Sequence, residues 1–120
     1  MSVPYRLHRD GKKEELPIPE PDGDTPLPIV LAKDGAVVLS YQSYVARKDI
    51  QVIVSFPVCY AHRFGTDKSA WEPGDFGGRG KRFFFGFKDA EFECVAEDYG
   101  CEVSNEADDA IKLMSKRLYK

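Results

Sequence analysis

The sequence predicts an α+β domain in which an antiparallel β-sheet of about five strands packs against one C-terminal amphipathic helix. Three observations predict it. Between Ile50 and Val58 the residues Ile50, Val52, Val54, Phe56 and Val58 fall on one parity while Gln51, Ser55 and Cys59 fall on the other, the period of a half-buried strand. Phe83, Phe85 and Phe87 repeat that period, as do Phe92, Cys94 and Ala96 after a turn at Lys88-Asp89-Ala90. Beyond Ser104 the period changes, and Ala107, Ala110, Ile111, Met114 and Leu118 share a helical stripe with Asp108, Lys112 and Lys116 outside it.

The elements follow in order. Residues 1–27 read as a proline-rich N-terminal arm, because Pro17, Pro19, Pro21 and Pro26 lack the N–H that a helix or central strand needs. Such an arm either moves freely or lies along a neighbour. Residues 28–120 form the single α+β domain, with a first strand at Pro28–Ala32. Asp34-Gly35 tolerates positive φ at both positions and reverses the chain into a second strand, Ala36–Tyr44. A polar reversal at residues 46–49 leads into the strand that begins at Ile50. At the far end Ser104 or Asn105 is placed to cap the helix, acids fill its first turn, and Lys116, Arg117 and Lys120 suit its last. The helical stripe must cover something apolar, and the face of the sheet is the large candidate.

Length and charge bound the function. A chain of 120 residues is long enough to bury one core. With 17 basic and 20 acidic side chains the net charge is −3, which argues against phosphate-backbone binding, so nucleic acid is not expected as a partner. No apolar run approaches the length of a membrane span and the first residues lack the apolar core of a signal peptide, so no membrane association and a cytoplasmic setting are expected. Three cysteines, Cys59, Cys94 and Cys101, cannot all pair within one chain, and free thiols are the expectation.

The most informative stretch runs from His62 to Lys81, 20 residues with five glycines and no period. Long aperiodic connections are often functional, and this one holds the single Trp. The plainer alternative is that Trp71 and Phe76 pin a packed loop to the body of the domain. Gly74 to Arg82 offers glycines with Arg79, Lys81 and Arg82, the ingredients of an anion cradle, but it matches neither phosphate-binding glycine motif and leads into a strand rather than a helix. Arg79 to Phe87 superficially resembles the basic-aromatic strand of RNA-recognition modules, yet Lys81 stands where an aromatic belongs. Cys59 and His62 are two metal-ligand types without a second pair, so no metal and no cofactor are expected.

The segments Phe56-Pro-Val-Cys-Tyr-Ala-His-Arg-Phe-Gly65 and Phe85-Gly-Phe-Lys-Asp-Ala-Glu-Phe-Glu-Cys-Val-Ala96 resemble an uncharacterised family of small bacterial proteins, some carried on mobile gene cassettes. That family has a Phe-Gly before a polar loop and a late Phe-x-Asp-x-x-Phe-Glu-x-x-Ala stretch. The likeness covers the central third of the chain. Where such proteins continue with a Pro-Asn-Asp-Glu-like run and a Gly-His-Pro, this chain has Thr66-Asp67-Lys68, so Asp67 alone corresponds. The resemblance implies a cytosolic bacterial domain and brings no activity with it.

Two functional readings follow. The first is a non-catalytic interaction or ligand-binding domain that self-associates as a homo-oligomer, because exposed sheet edges pair with a second copy, with the proline arm contributing to the contact. An unidentified protein or small molecule would be its other partner, with Arg63, Trp71, Arg79 and Arg82 as ligand-binding candidates. The second is a small enzyme acting on a polar or phosphorylated ligand, with His62 as general base, a carboxylate such as Asp67 or Asp75 orienting it, and Arg63, Arg79 or Arg82 holding an anion. The enzyme requires His62, Asp67 and an arginine to converge.

Overall fold

The computed structural model describes residues 4–66, 79–104 and 110–118. Among them are nine strands, β1 Tyr5–Leu7, β2 Lys13–Glu15, β3 Ile29–Lys33, β4 Ala36–Val45, β5 Lys48–Phe56, β6 Cys59–Gly65, β7 Lys81–Gly86, β8 Glu91–Ala96 and β9 Gly100–Ser104, followed by the helix α1 Ala110–Leu118. The class is α+β, with antiparallel pairing throughout the described ladders. The strands divide into two sheets, one ordered β2-β1-β7-β8-β6 and the other β3-β4-β5-β9.

Local chemistry places the turns. Asp34 and Gly35 take φ of 49° and 81°, the left-handed pair that a two-residue hairpin between β3 and β4 requires. The reversal between β4 and β5 uses the same geometry at Ala46 and Arg47, φ 51° and 66°, although neither residue favours it. Gly80, at φ 76°, leads into β7, and a Cβ there would lie 2.9 Å from Val95 Cγ1 and 3.0 Å from Tyr60 Cδ2. Only glycine fits that backbone and that space.

The main core lies between the two sheets. Val37, Leu39 and Tyr41 of β4 and Val52, Val54 and Phe56 of β5 face Phe83 and Phe85 of β7 and Phe92, Cys94 and Ala96 of β8. Phe56 sits at the centre, with ring centroids 5.5, 6.2 and 6.0 Å from Phe83, Phe85 and Phe92. The expected alternation therefore holds, but what shields it differs. The helix does not cover these phenylalanines, because the second sheet does. Instead α1 lies on the opposite face of β3-β4-β5, where Met114 joins Val38 and Ile53 in a smaller cluster edged by Ile29, Leu31, Leu113 and Leu118.

Two further expectations are corrected by this packing. Ile111 is 59% exposed, because the buried line of α1 runs through Ala110 and Met114 and turns Ile111 to solvent. Val58 is exposed because β5 ends at Phe56, and Pro57 cannot extend the ladder. Ser104 ends β9, and Asn105, Ala107 and Asp108, where the cap and first turn were expected, lie outside the described residues.

The proline arm is built into the body of its own chain. Its first part supplies β1 and β2, and Leu16 and Ile18 enter the main core. Tyr41 Oη donates to the Pro19 carbonyl at 2.6 Å and Ser43 Oγ donates to that of Glu20. Beyond the end of β3, Asp22 N donates to Gln42 O and Gln42 N to Pro26 O, so the arm completes the edge of β4. Proline suits this place, since an edge-lying segment has fewer N–H groups to satisfy.

Candidate functional site

The residues predicted to carry chemistry gather unevenly on the five-stranded sheet. His62 and Arg63 are neighbours on β6, so strand alternation sends them to opposite faces. His62 lies opposite Cys94, on the parity of the core, but at the sheet edge it is exposed. Arg63 lies opposite Glu93 on the outer face. The segment predicted as one long loop from His62 thus begins as a strand, and residues 62–65 belong to β6. Asp67 and Trp71 lie outside the described residues.

Arg63 and Arg82 do meet, and the group between them is Glu93. Arg82 Nη2 is 2.7 Å from Glu93 Oε2, and Arg63 Nη2 is 3.5 Å from Glu93 Oε1 and 3.2 Å from Glu91 Oε1. The Glu93 side chain has no solvent exposure, while both arginines keep about one fifth of theirs. A buried carboxylate is tolerated only when opposite charge and hydrogen bonds replace its water, which two guanidinium groups do here.

An aromatic row extends this cluster across the sheet. Arg82 lies over the Phe84 ring at 5.4 Å, Tyr5 stacks on Phe84 with centroids 5.0 Å apart and planes within 9°, and Lys13 lies over Tyr5 at 4.8 Å. From β2 to β6 the outer face is therefore a ladder of Lys13, Tyr5, Phe84, Arg82, Glu93 and Arg63. Burial first, and then the carboxylates of Glu91 and Glu93, hold the Tyr5 hydroxyl above the usual tyrosine value, with Arg82 opposing.

Arg79 stands apart from the ladder. It is exposed ahead of β7, where its charge acts on the Tyr60 hydroxyl, which Glu97 holds by a hydrogen bond. The two arginines on Glu93 are balanced by Glu91 and Glu93, so an incoming anion would have to displace a carboxylate already in place. Among the described residues no three His, Cys, Asp or Glu side chains gather as a metal site requires. No helix among them is long and apolar enough to cross a membrane.

Glu91, Glu93 and Tyr5 were not among the residues singled out in the sequence. The signal was present in β8, where two acids share the parity opposite Phe92 and Cys94. Acidic residues on a strand face read as solvated, and only the pairing of β8 between β6 and β7 shows that arginines flank them.

Comparison with protein-family models, with curated proteins and with solved structures finds no match to this chain.

Proposed function

We propose that this chain is a non-catalytic interaction domain that pairs with a second copy of itself along the edge of β6. One observation carries the reading: among the described strands β6 is the longest at a sheet edge, and Tyr60 and Phe64 on it are exposed, as is Val58 just before it. An edge strand presents unsatisfied N–H and C=O groups, and native chains blunt such edges unless they are used.

The other three edges are blunted. β2 has three residues, Lys13, Glu14 and Glu15, all exposed and charged. β3 follows Pro26 and Pro28 and ends on Lys33. β9 has five residues, and its Glu102 is tied to Arg117 of the helix. On β6 the register is irregular only between Cys59 and Ala61, which leaves residues 61–65 regular for pairing. A reducing compartment such as the cytoplasm is the setting that suits its three free thiols.

A contact built on one strand from each copy is small and belongs to the weak, reversible class. Sedimentation velocity over a wide concentration range tests it. The wild-type chain is expected to pass from monomer to dimer as concentration rises, and Phe64→Lys, which sets a charge on the edge, is expected to stay monomeric. A wild-type chain that remains monomeric at every concentration, or a Phe64→Lys variant that dimerises equally well, removes the proposal.

A further inference from the structure

The ladder and the β6 edge leave one pair of reactive side chains unused. Cys59 and Cys94 stand on adjacent antiparallel strands and share the core-facing side, Cys94 fully buried and Cys59 half-buried at the rim. The bulge between Cys59 and Ala61 brings the Cys59 thiol back onto its own strand, 3.2 Å from the Ala61 carbonyl, and Cys59 packs against the core cluster that contains Cys94. Two thiols on one face of neighbouring strands, one reachable from solvent and one not, have the arrangement of an attacking and a resolving cysteine.

We infer that Cys59 and Cys94 form a redox-responsive dithiol, oxidised to an intramolecular disulfide by a hydroperoxide. In the first step the Cys59 sulfur attacks the terminal peroxide oxygen. The O–O bond breaks, an alcohol (water, for hydrogen peroxide) leaves with the Cys59 proton, and Cys59 becomes a sulfenic acid. In the second step the Cys94 sulfur attacks Cys59, the S–S bond forms, the S–O bond breaks, and water leaves with the Cys94 proton. Two thiols lose two electrons together, and the hydroperoxide is reduced to alcohol and water.

The electrostatics of the three cysteines agree with these roles. Hydrogen bonding from Cys94 holds the Cys59 thiol below the usual cysteine range, against the opposing effect of burial. Burial first, then hydrogen bonding with Cys59, holds Cys94 well above it, so Cys94 keeps its proton while Cys59 reacts first. Cys101 is the more exposed thiol, yet desolvation and the Glu102 carboxylate raise it. Exposure alone would make Cys101 react first, and this arrangement reverses that order.

The test is mild oxidation of the native chain by hydrogen peroxide at low protein concentration, where self-association plays no part. Free thiols are then trapped by alkylation and mapped by mass spectrometry without reduction. The expected product has lost two hydrogen atoms, links Cys59 to Cys94, and carries an alkylated Cys101. In Cys94→Ala a trappable sulfenic acid is expected to accumulate at Cys59, and Cys59→Ser is expected to abolish fast oxidation. Oxidation that begins at Cys101, or a chain in which Cys59 and Cys94 are both still alkylated after Cys101 is consumed, overturns the inference. Because the wild-type chain gives this readout, the test stands even if a variant folds poorly.

Discussion

Arg82 holds Glu93 at 2.7 Å on the outer face of the five-stranded sheet, and the carboxylate it holds is closed to solvent. Glu93→Gln leaves Arg63 and Arg82 facing a neutral group in a place where water does not compensate. We expect a loss of about 3 kcal/mol, read as a lower urea midpoint with an unchanged slope. Arg82→Ala is expected to destabilise more than Arg63→Ala, since Arg63 stands farther from Glu93 and shares its charge with the half-exposed Glu91. Equal midpoints for wild type and Glu93→Gln would mean that the cluster adds nothing to stability.

The inter-sheet core and the helix layer predict opposite outcomes for residues that look alike in sequence. Phe56→Ala removes the ring shared by Phe83, Phe85 and Phe92 and should cost about 4 kcal/mol. Met114→Ala should cost about 2 to 3 kcal/mol, because Met114 is fully buried against Val38 and Ile53. Ile111→Ser should change the thermal midpoint little, although Ile111 and Met114 fell on one predicted stripe. A large loss at Ile111 would place the helix in a different rotation.

Much of this architecture is legible in the residues. The Asp34-Gly35 hairpin, the strands on either side of it and the alternating phenylalanines all declare themselves through period and turn chemistry. What is hidden is which apolar face meets which. Tyr41, Phe56 and Phe85 alternate identically whether a helix or a second sheet covers them, so the sequence could not announce the sandwich. The arm was opaque for a related reason: Tyr5–Leu7 and Lys13–Glu15 are too short to show a period, and Pro19 and Glu20 pair through their carbonyls, which every residue possesses. The buried Glu93 was masked because its arginine partners come from strands 30 and 11 residues away in the chain.

The turn between β4 and β5 carries strain that a substitution can relieve. Arg47 adopts φ of 66° without a glycine's freedom, whereas Gly35 occupies the same position of the preceding hairpin. Arg47→Gly is expected to stabilise the domain by about 0.5 kcal/mol, the left-handed penalty outweighing the added freedom of the unfolded chain. Thermal unfolding checks the sign, and a lower midpoint would refute it.

Alkaline pH should unfold the domain through its buried tyrosines. Burial, with a minor contribution from Cys101, raises the Tyr41 hydroxyl far above its usual 10.0, and the same cause acts first on Tyr5 and Tyr99. A raised folded-state value means the native protein keeps the proton that the unfolded chain loses. The stabilisation is therefore complete below pH 10.0 and is lost as pH rises beyond it. Tyr41→Phe should flatten this decline while costing about 1 kcal/mol at neutral pH for the lost bond to Pro19. Melting curves across that pH range, for wild type and variant, would show both effects.

Hydrogen exchange at the edge of β6 bears most directly on the proposed role. Amide exchange rates measured at low and high protein concentration should fall with concentration along residues 61–65, while those of β2, β3 and β9 stay unchanged. Rates along β6 that are independent of concentration, or protection that develops at another edge, would contradict pairing through this strand.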